Sequence, residues 1–204
     1  MLTTSLSNEG WPVVLQTRPA LQMDNDQFFE FCQLNRDWRI ERTAEGELII
    51  MPPTGWATGS SNLRIGSSLL IWADQDGTGV ASDSSTGFIL PNGATRSPDA
   101  AWVRKSRLAA FTKEQRNKFL PLCPDFVIEL RSPSDALATL QDKMHEYIAN
   151  GAQLGFLIDP IEHRVYIYRP GTAAVCLDNP VTISGDPELP SFILSLANVW
   201  DSPL

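Results

Sequence analysis

Cysteine, histidine and positive charge are all scarce in this sequence, and each shortage removes a class of protein. Only three cysteines occur, Cys32, Cys123 and Cys176, odd in number and widely spaced. That pattern argues against a disulfide framework and for a reducing compartment. His145 and His163 lie far apart, and neither joins a cysteine at a spacing suited to zinc. No G-x-S-x-G elbow and no P-loop is present, which sets aside serine-hydrolase and Walker-type readings. No run of about 18 apolar residues occurs, so no transmembrane helix is expected. The opening "MLTTSLSNEGWPVV" has neither the basic nor the apolar region of a secretory signal. The expected setting is cytoplasmic. Lys and Arg number 16 against 24 Asp and Glu, a formal net charge of −8. A protein that binds nucleic acid through its backbone is usually basic, because Lys and Arg displace phosphate counterions. The overall charge weighs against tight nonspecific binding, although "WVRKSRL" at 102–108 and "KEQRNK" at 113–118 offer a local basic surface.

What is present suits one globular domain. Apolar residues make up 43% of 204, enough for a real core. Residues 1–23 read as an arm, and 24–204 as a single domain. Asp24, with Gln27 three residues on, forms a capping box for the helix "DQFFEFCQLN". "WRIERTAEGELIIMPP" reads as a hairpin turning at 44–46. Residues 58–75 read as a helix, with Leu63, Leu70 and Ala73 near one stripe and Ile65, Leu69 and Trp72 beside it. The turn-punctuated stretch 77–105 reads as a meander of antiparallel strands. A helix or loop excursion is expected over 107–122, a strand over 125–130, and a helix over 136–150 closed by Asn150-Gly151. Two further strands follow. The expected fold class is α/β (α+β): a mixed central sheet flanked by helices.

The strand in "CPDFVIELRSPSD" carries the chemistry. Alternation puts Phe126, Ile128 and Leu130 on one face and Asp125, Val127, Glu129 and Arg131 on the other. A mid-strand carboxylate is costly unless it is paired, hydrogen-bonded or bound to a cation. The next helix has Leu140, Met144, Tyr147 and Ile148 inward, with Lys143 on or beside that stripe. Lys143 must therefore snorkel to water or reach a partner, and Glu129 is the candidate. In "RSPDAAWV", Asp99 opens a strand; if that strand neighbours 125–131, Asp99 and Glu129 approach each other. Two close carboxylates need a compensating cation. Mg²⁺ accepts one or two carboxylates plus water and phosphate oxygens, so the set suits Mg²⁺ and metal-assisted attack on a phosphodiester.

These blocks also resemble a known family. "GELIIMPPTG", "DSSTGFILPNG", "SPDAAWV", "CPDFVIELRSPSD", "KMHEYIANG" and "LGFLIDP", in that order across residues 46 to 160, resemble the Uma-type restriction endonuclease family of the PD-(D/E)XK nuclease superfamily. The resemblance implies a restriction-endonuclease-like core and Mg²⁺-dependent hydrolysis of DNA, with Mn²⁺ as a substitute ion. Asp99 matches the motif aspartate and Glu129 the acidic residue of (D/E)XK, both as metal ligands. The superfamily lysine belongs two residues after the glutamate, where this sequence has Arg131; Lys143 is the relocated candidate. Glu47, Asn62 and Asp83 are auxiliary candidates.

Structural readings compete. Glu129 could instead form an ion pair with Arg131 or Lys143, Asp125 could cap its strand, and Asp83 and Glu47 could be solvated hairpin residues. Trp102, Tyr166 and Tyr168 read as core rather than as base-stacking surfaces. The functional alternative is a catalytically degenerate nucleic-acid-binding or structural oligomeric protein of the same fold. Closed twofold association is the expected oligomer.

Overall fold

The computed structural model describes residues 12–200. β1 (Val13–Leu15) leads to α1 (Asn25–Leu34), whose N-terminus carries the expected capping box between Asp24 and Gln27. β2 (Arg39–Arg42) and β3 (Leu48–Met51) form the hairpin, and α2 (Trp56–Asp76) follows. β4 (Gly79–Asp83), β5 (Phe88–Ile89), β6 (Thr95–Arg96) and β7 (Ala100–Arg104) occupy the meander stretch. Two short helices, α3 (Lys105–Leu108) and α4 (Lys113–Arg116), make the excursion. β8 (Phe126–Leu130), α5 (Leu137–Ala149), β9 (Leu154–Asp159) and β10 (Arg164–Tyr168) build the centre. β11 (Val175–Asp178), β12 (Thr182–Ser184), β13 (Ile193–Ser195) and α6 (Ala197–Trp200) complete the described chain.

The central sheet has six strands in the order β11-β10-β9-β8-β7-β4. β8 and β9 run parallel, joined over the sheet by α5, and the remaining neighbours are antiparallel. All five residues of β8 are buried, as a strand covered on both faces requires. Phe126, Ile128 and Leu130 pack with Ile65, Leu69 and Trp72 of α2 and with Phe192. Val127 packs on the opposite side with Met144 and Tyr147 of α5. α5 packs closely on β9: a Cβ on Gly155 would come within 2.4 Å of the Met144 methyl. α5 ends at Asn150, and Gly151 turns the chain at φ +112°.

Two expectations need correction. Stretch 77–105 is not one meander. β4 and β7 pair with each other in the central sheet, whereas β5 and β6 leave it for a second sheet, β1-β3-β2-β6-β5. Pro98 stands between β6 and β7; it has no N–H to donate, so the ladder breaks there and the chain crosses between sheets. In α2 the buried stripe is Ser61, Ile65, Leu69, Trp72 and Ala73, while Leu63 and Leu70 are exposed. Steps of four, four and three keep 61, 65, 69 and 72 on one face, and 63 falls on the other.

Candidate active site

The crossing at Pro98 carries Asp99 over the seam between the two sheets. β7 and β8 pair with Ala100 opposite Ile128, and Asp99 Oδ2 accepts the Leu130 amide at 2.8 Å. Asp99 and Glu129 therefore hang over neighbouring strands. From the other sheet, β2 brings Arg39 and Glu41. Arg39 Nη1 donates to Asp99 Oδ1 at 3.1 Å, and its Nη2 donates to the Ser97 carbonyl. Glu41 Oε1 accepts the Ser97 amide at 2.9 Å. α5 lowers Lys143 into the same hollow, with Nζ 2.8 Å from Glu129 Oε1 and 2.9 Å from Glu41 Oε1. One turn along α5, the Tyr147 hydroxyl donates to Glu129 Oε1 at 2.9 Å. Arg96 closes the network between Glu41 at 3.3 Å and Glu146 at 2.5 Å. The cluster opens into a cleft of ≈ 1000 Å³ whose walls include Arg39, Asn62, Asp99, Glu129 and Lys143.

The two buried glutamates beside Lys143 differ sharply. Burial alone would raise Glu41, but Lys143, Arg96 and Arg39 outweigh it and hold the carboxyl down to about 2. Burial pushes Glu129 up to about 7; Lys143 opposes that, and the charges of Asp99 and Glu41 add to the rise. Lys143 is raised: burial works against its charge, and Glu129 and Glu41 prevail. Tyr147 is also raised, first by burial and then by the same two glutamates. Four carboxylates, Glu41, Asp99, Glu129 and Glu146, share three cations, Arg39, Arg96 and Lys143. With Glu129 ionised, the cluster carries one negative charge more than positive.

That surplus bears on whether a divalent ion fits. Among the described residues no three His, Cys, Asp or Glu side chains converge as a ligand set, so no all-protein cage is built. Mg²⁺ asks for less, namely one or two carboxylates with water and phosphate filling the rest. Asn62 adds a hard oxygen: its Oδ1 is buried without a hydrogen-bond partner, while its Nδ2 stands 3.5 Å from Asp99 Oδ1. The reverse amide orientation would set two acceptors together. An orphaned carbonyl on a residue that reaches Asp99, in a cluster rich in carboxylates, fits a hard cation.

Of the residues singled out from sequence, Asp99, Glu129, Lys143 and Asn62 come together. Arg131 does not join them: its Nη1 is 2.8 Å from the fully buried Asp159 and its Nε donates to the Asp135 carbonyl. Asp83 ends β4 and accepts from the Ser85 amide and hydroxyl of the turn that follows, and neither it nor Glu47 lines the cleft. No residue of the basic stretches 102–108 and 113–118 lines it. Arg104 and Arg107 serve Asp125, and Lys118 serves Asp26. Sequence reasoning missed Arg39 and Glu41. The signal was present in "WRIER", where two opposite charges share one face of a strand.

The fold these elements form is restriction-endonuclease-like. It superposes, with a TM-score of 0.70 and 18% identity, on a crystal structure described as "a putative nuclease belonging to DUF820 from Anabaena variabilis ATCC 29413", covering 88% of this chain and 98% of that one. Residues 25–197 match the Uma2 family, described as "Putative restriction endonuclease", and the chain belongs to that family. No curated protein matches it.

Proposed function

We propose that the protein is a Mg²⁺-dependent endonuclease that hydrolyses DNA phosphodiester bonds through a PD-(D/E)XK-type site. The supporting observation is the meeting of Lys143 with Glu129 at 2.8 Å, beside Asp99, at the floor of an open cleft. Asp99 and Glu129 would hold the ion, with Asn62 Oδ1 within the same set; bound there, the ion supplies charge neutralisation at the phosphate and a more acidic water. Lys143, kept protonated by two glutamates, orients the attacking water and stabilises the negative charge that builds on phosphorus. Glu41 fixes that ammonium from behind. Arg39 stands at the cleft wall with Nε buried and unpaired, and its guanidinium suits a phosphate oxygen. Arg131 assists from the flank by tying down the loop 132–135, which also lines the cleft. The water oxygen bonds to phosphorus as the bond to the leaving deoxyribose oxygen breaks, and the proton the water gives up is returned through solvent to that oxygen. No described helix is long and apolar enough to cross a membrane, and three free cysteines suit the reducing cytoplasm. A twofold dimer would present two such clefts.

Nicking of supercoiled plasmid and of circular single-stranded DNA in Mg²⁺ or Mn²⁺ tests this reading. Asp99→Ala, Glu129→Ala and Lys143→Ala should each lower the rate by about 10²–10⁴. Activity that survives all three contradicts it. A second reading, DNA binding without cleavage, has one observation in its favour. Carboxylate oxygens of the site already accept from Arg39, the Leu130 amide, Lys143 and Tyr147. Calorimetric titration that finds no Mg²⁺ or Mn²⁺ affinity supports that alternative.

A further inference from the structure

Trp56, the first residue of α2, is 83% exposed and lines the same cleft as Asp99, Glu129 and Lys143. The tryptophans of the core, Trp72 and Trp102, are 8% and 3% exposed. An indole so far out contributes little to packing, and its aromatic faces remain available at the cleft rim. We propose that Trp56 stacks an unpaired base, so that the cleft takes single-stranded rather than duplex DNA; this rests on the nuclease reading of the cleft and names its substrate class.

Charge weighs against a duplex more heavily than against a short single strand, although both carry phosphates. The cations of the cleft wall are Arg36, Arg39 and Lys143, against the acids Asp37, Asp99, Glu129 and Asp135, three positive to four negative. Arg39 is engaged by Asp99, and Lys143 by Glu129 and Glu41. Capture of a duplex through its backbone commonly draws on about 6–10 phosphate contacts, and this wall has too few cations for that. Stacking does not depend on charge and accepts every base, because every base has a π-face. Depth points there too. The side chains of Asp99 and Glu129 are only 8% and 4% exposed. A single strand can bend a phosphate down to them, while a rigid duplex holds its phosphates on the outside of a wide rod.

The test is fluorescence anisotropy with a short labelled DNA strand and its duplex, in chelator so that nothing is cut. The full chain, Trp56→Ala and Trp56→Phe are compared. The wild type should bind the single strand more tightly than the duplex, with a shallow salt dependence. Trp56→Ala should weaken single-strand binding by about tenfold, and Trp56→Phe should restore most of it. Thermal melts of the variants should match the wild type, given the exposure of residue 56. Equal or tighter duplex binding, no loss with Trp56→Ala, or no binding of either probe overturns the proposal. The nuclease reading is judged separately, by whether nicking depends on Asp99, Glu129 and Lys143.

Discussion

Both ends of β8 bury a carboxylate on the same face, yet the two are built for different work. Asp125, just before the strand, is 6% exposed and accepts the Arg104 amide at 3.0 Å and the Arg107 guanidinium at 3.1 Å. It is one acid served by two arginines whose side chains are 51% and 37% exposed, and it lies outside the cleft. Glu129, four residues on, is one of four acids sharing three cations, and it opens on the cleft. A buried acid is therefore no sign of chemistry by itself. The sign is a buried acid crowded by others, with its pKa pushed upward and solvent within reach.

Substitutions at the two ends sharpen that contrast. The largest expected effect is on nicking: Glu129→Ala lowers it by about 10²–10⁴, while Asp125→Ala leaves the rate per folded molecule unchanged. Equal losses at both positions would break the distinction. Next comes stability at Glu41. Glu41→Gln leaves Lys143 and Arg96 facing a neutral partner and should cost about 3–5 kcal/mol in urea unfolding at pH 7. The sign follows from its lowered pKa. The contribution is fully present above the ordinary value of 4.5 and is lost as pH falls toward about 2, so the gap between wild type and variant closes over that window. Asp125→Asn should cost about 1–3 kcal/mol through imperfectly satisfied arginines. The effect at Glu129 has the opposite sign. Glu129 is raised to about 7, so the folded state binds its proton more tightly than the unfolded state does. Ionisation then costs stability as pH climbs from 4.5 through 7. Glu129→Gln should match the wild type most closely below pH 4.5 and gain on it by about 3 kcal/mol by pH 8.

Much of the architecture was legible because its signals are local. The Asp24–Gln27 capping box, the Asn150-Gly151 stop and the alternation along 125–131 each involve neighbours in sequence. Glu129 stood out as an acid flanked by Ile128 and Leu130, and Lys143 as a cation beside an apolar stripe. Glu41 did not stand out, because alternating charge on a hairpin ordinarily marks its solvated face. It is buried only because Ser97, Arg96 and a lysine 102 residues away close over it. The division of 77–105 between two sheets likewise depends on partners supplied from far along the chain. Leu63 and Leu70 show the limit of apolar counting: a helix with leucines on two faces does not announce which one meets the sheet.

Calorimetric titration of Mn²⁺ into the wild type, Glu129→Gln and Asp125→Asn tests most directly whether the crowded acids are a metal site. One ion should bind the wild type and Asp125→Asn alike, with heat lost in Glu129→Gln while its melting curve stays intact. Undiminished Mn²⁺ binding by Glu129→Gln, or none by the wild type, would contradict the assignment.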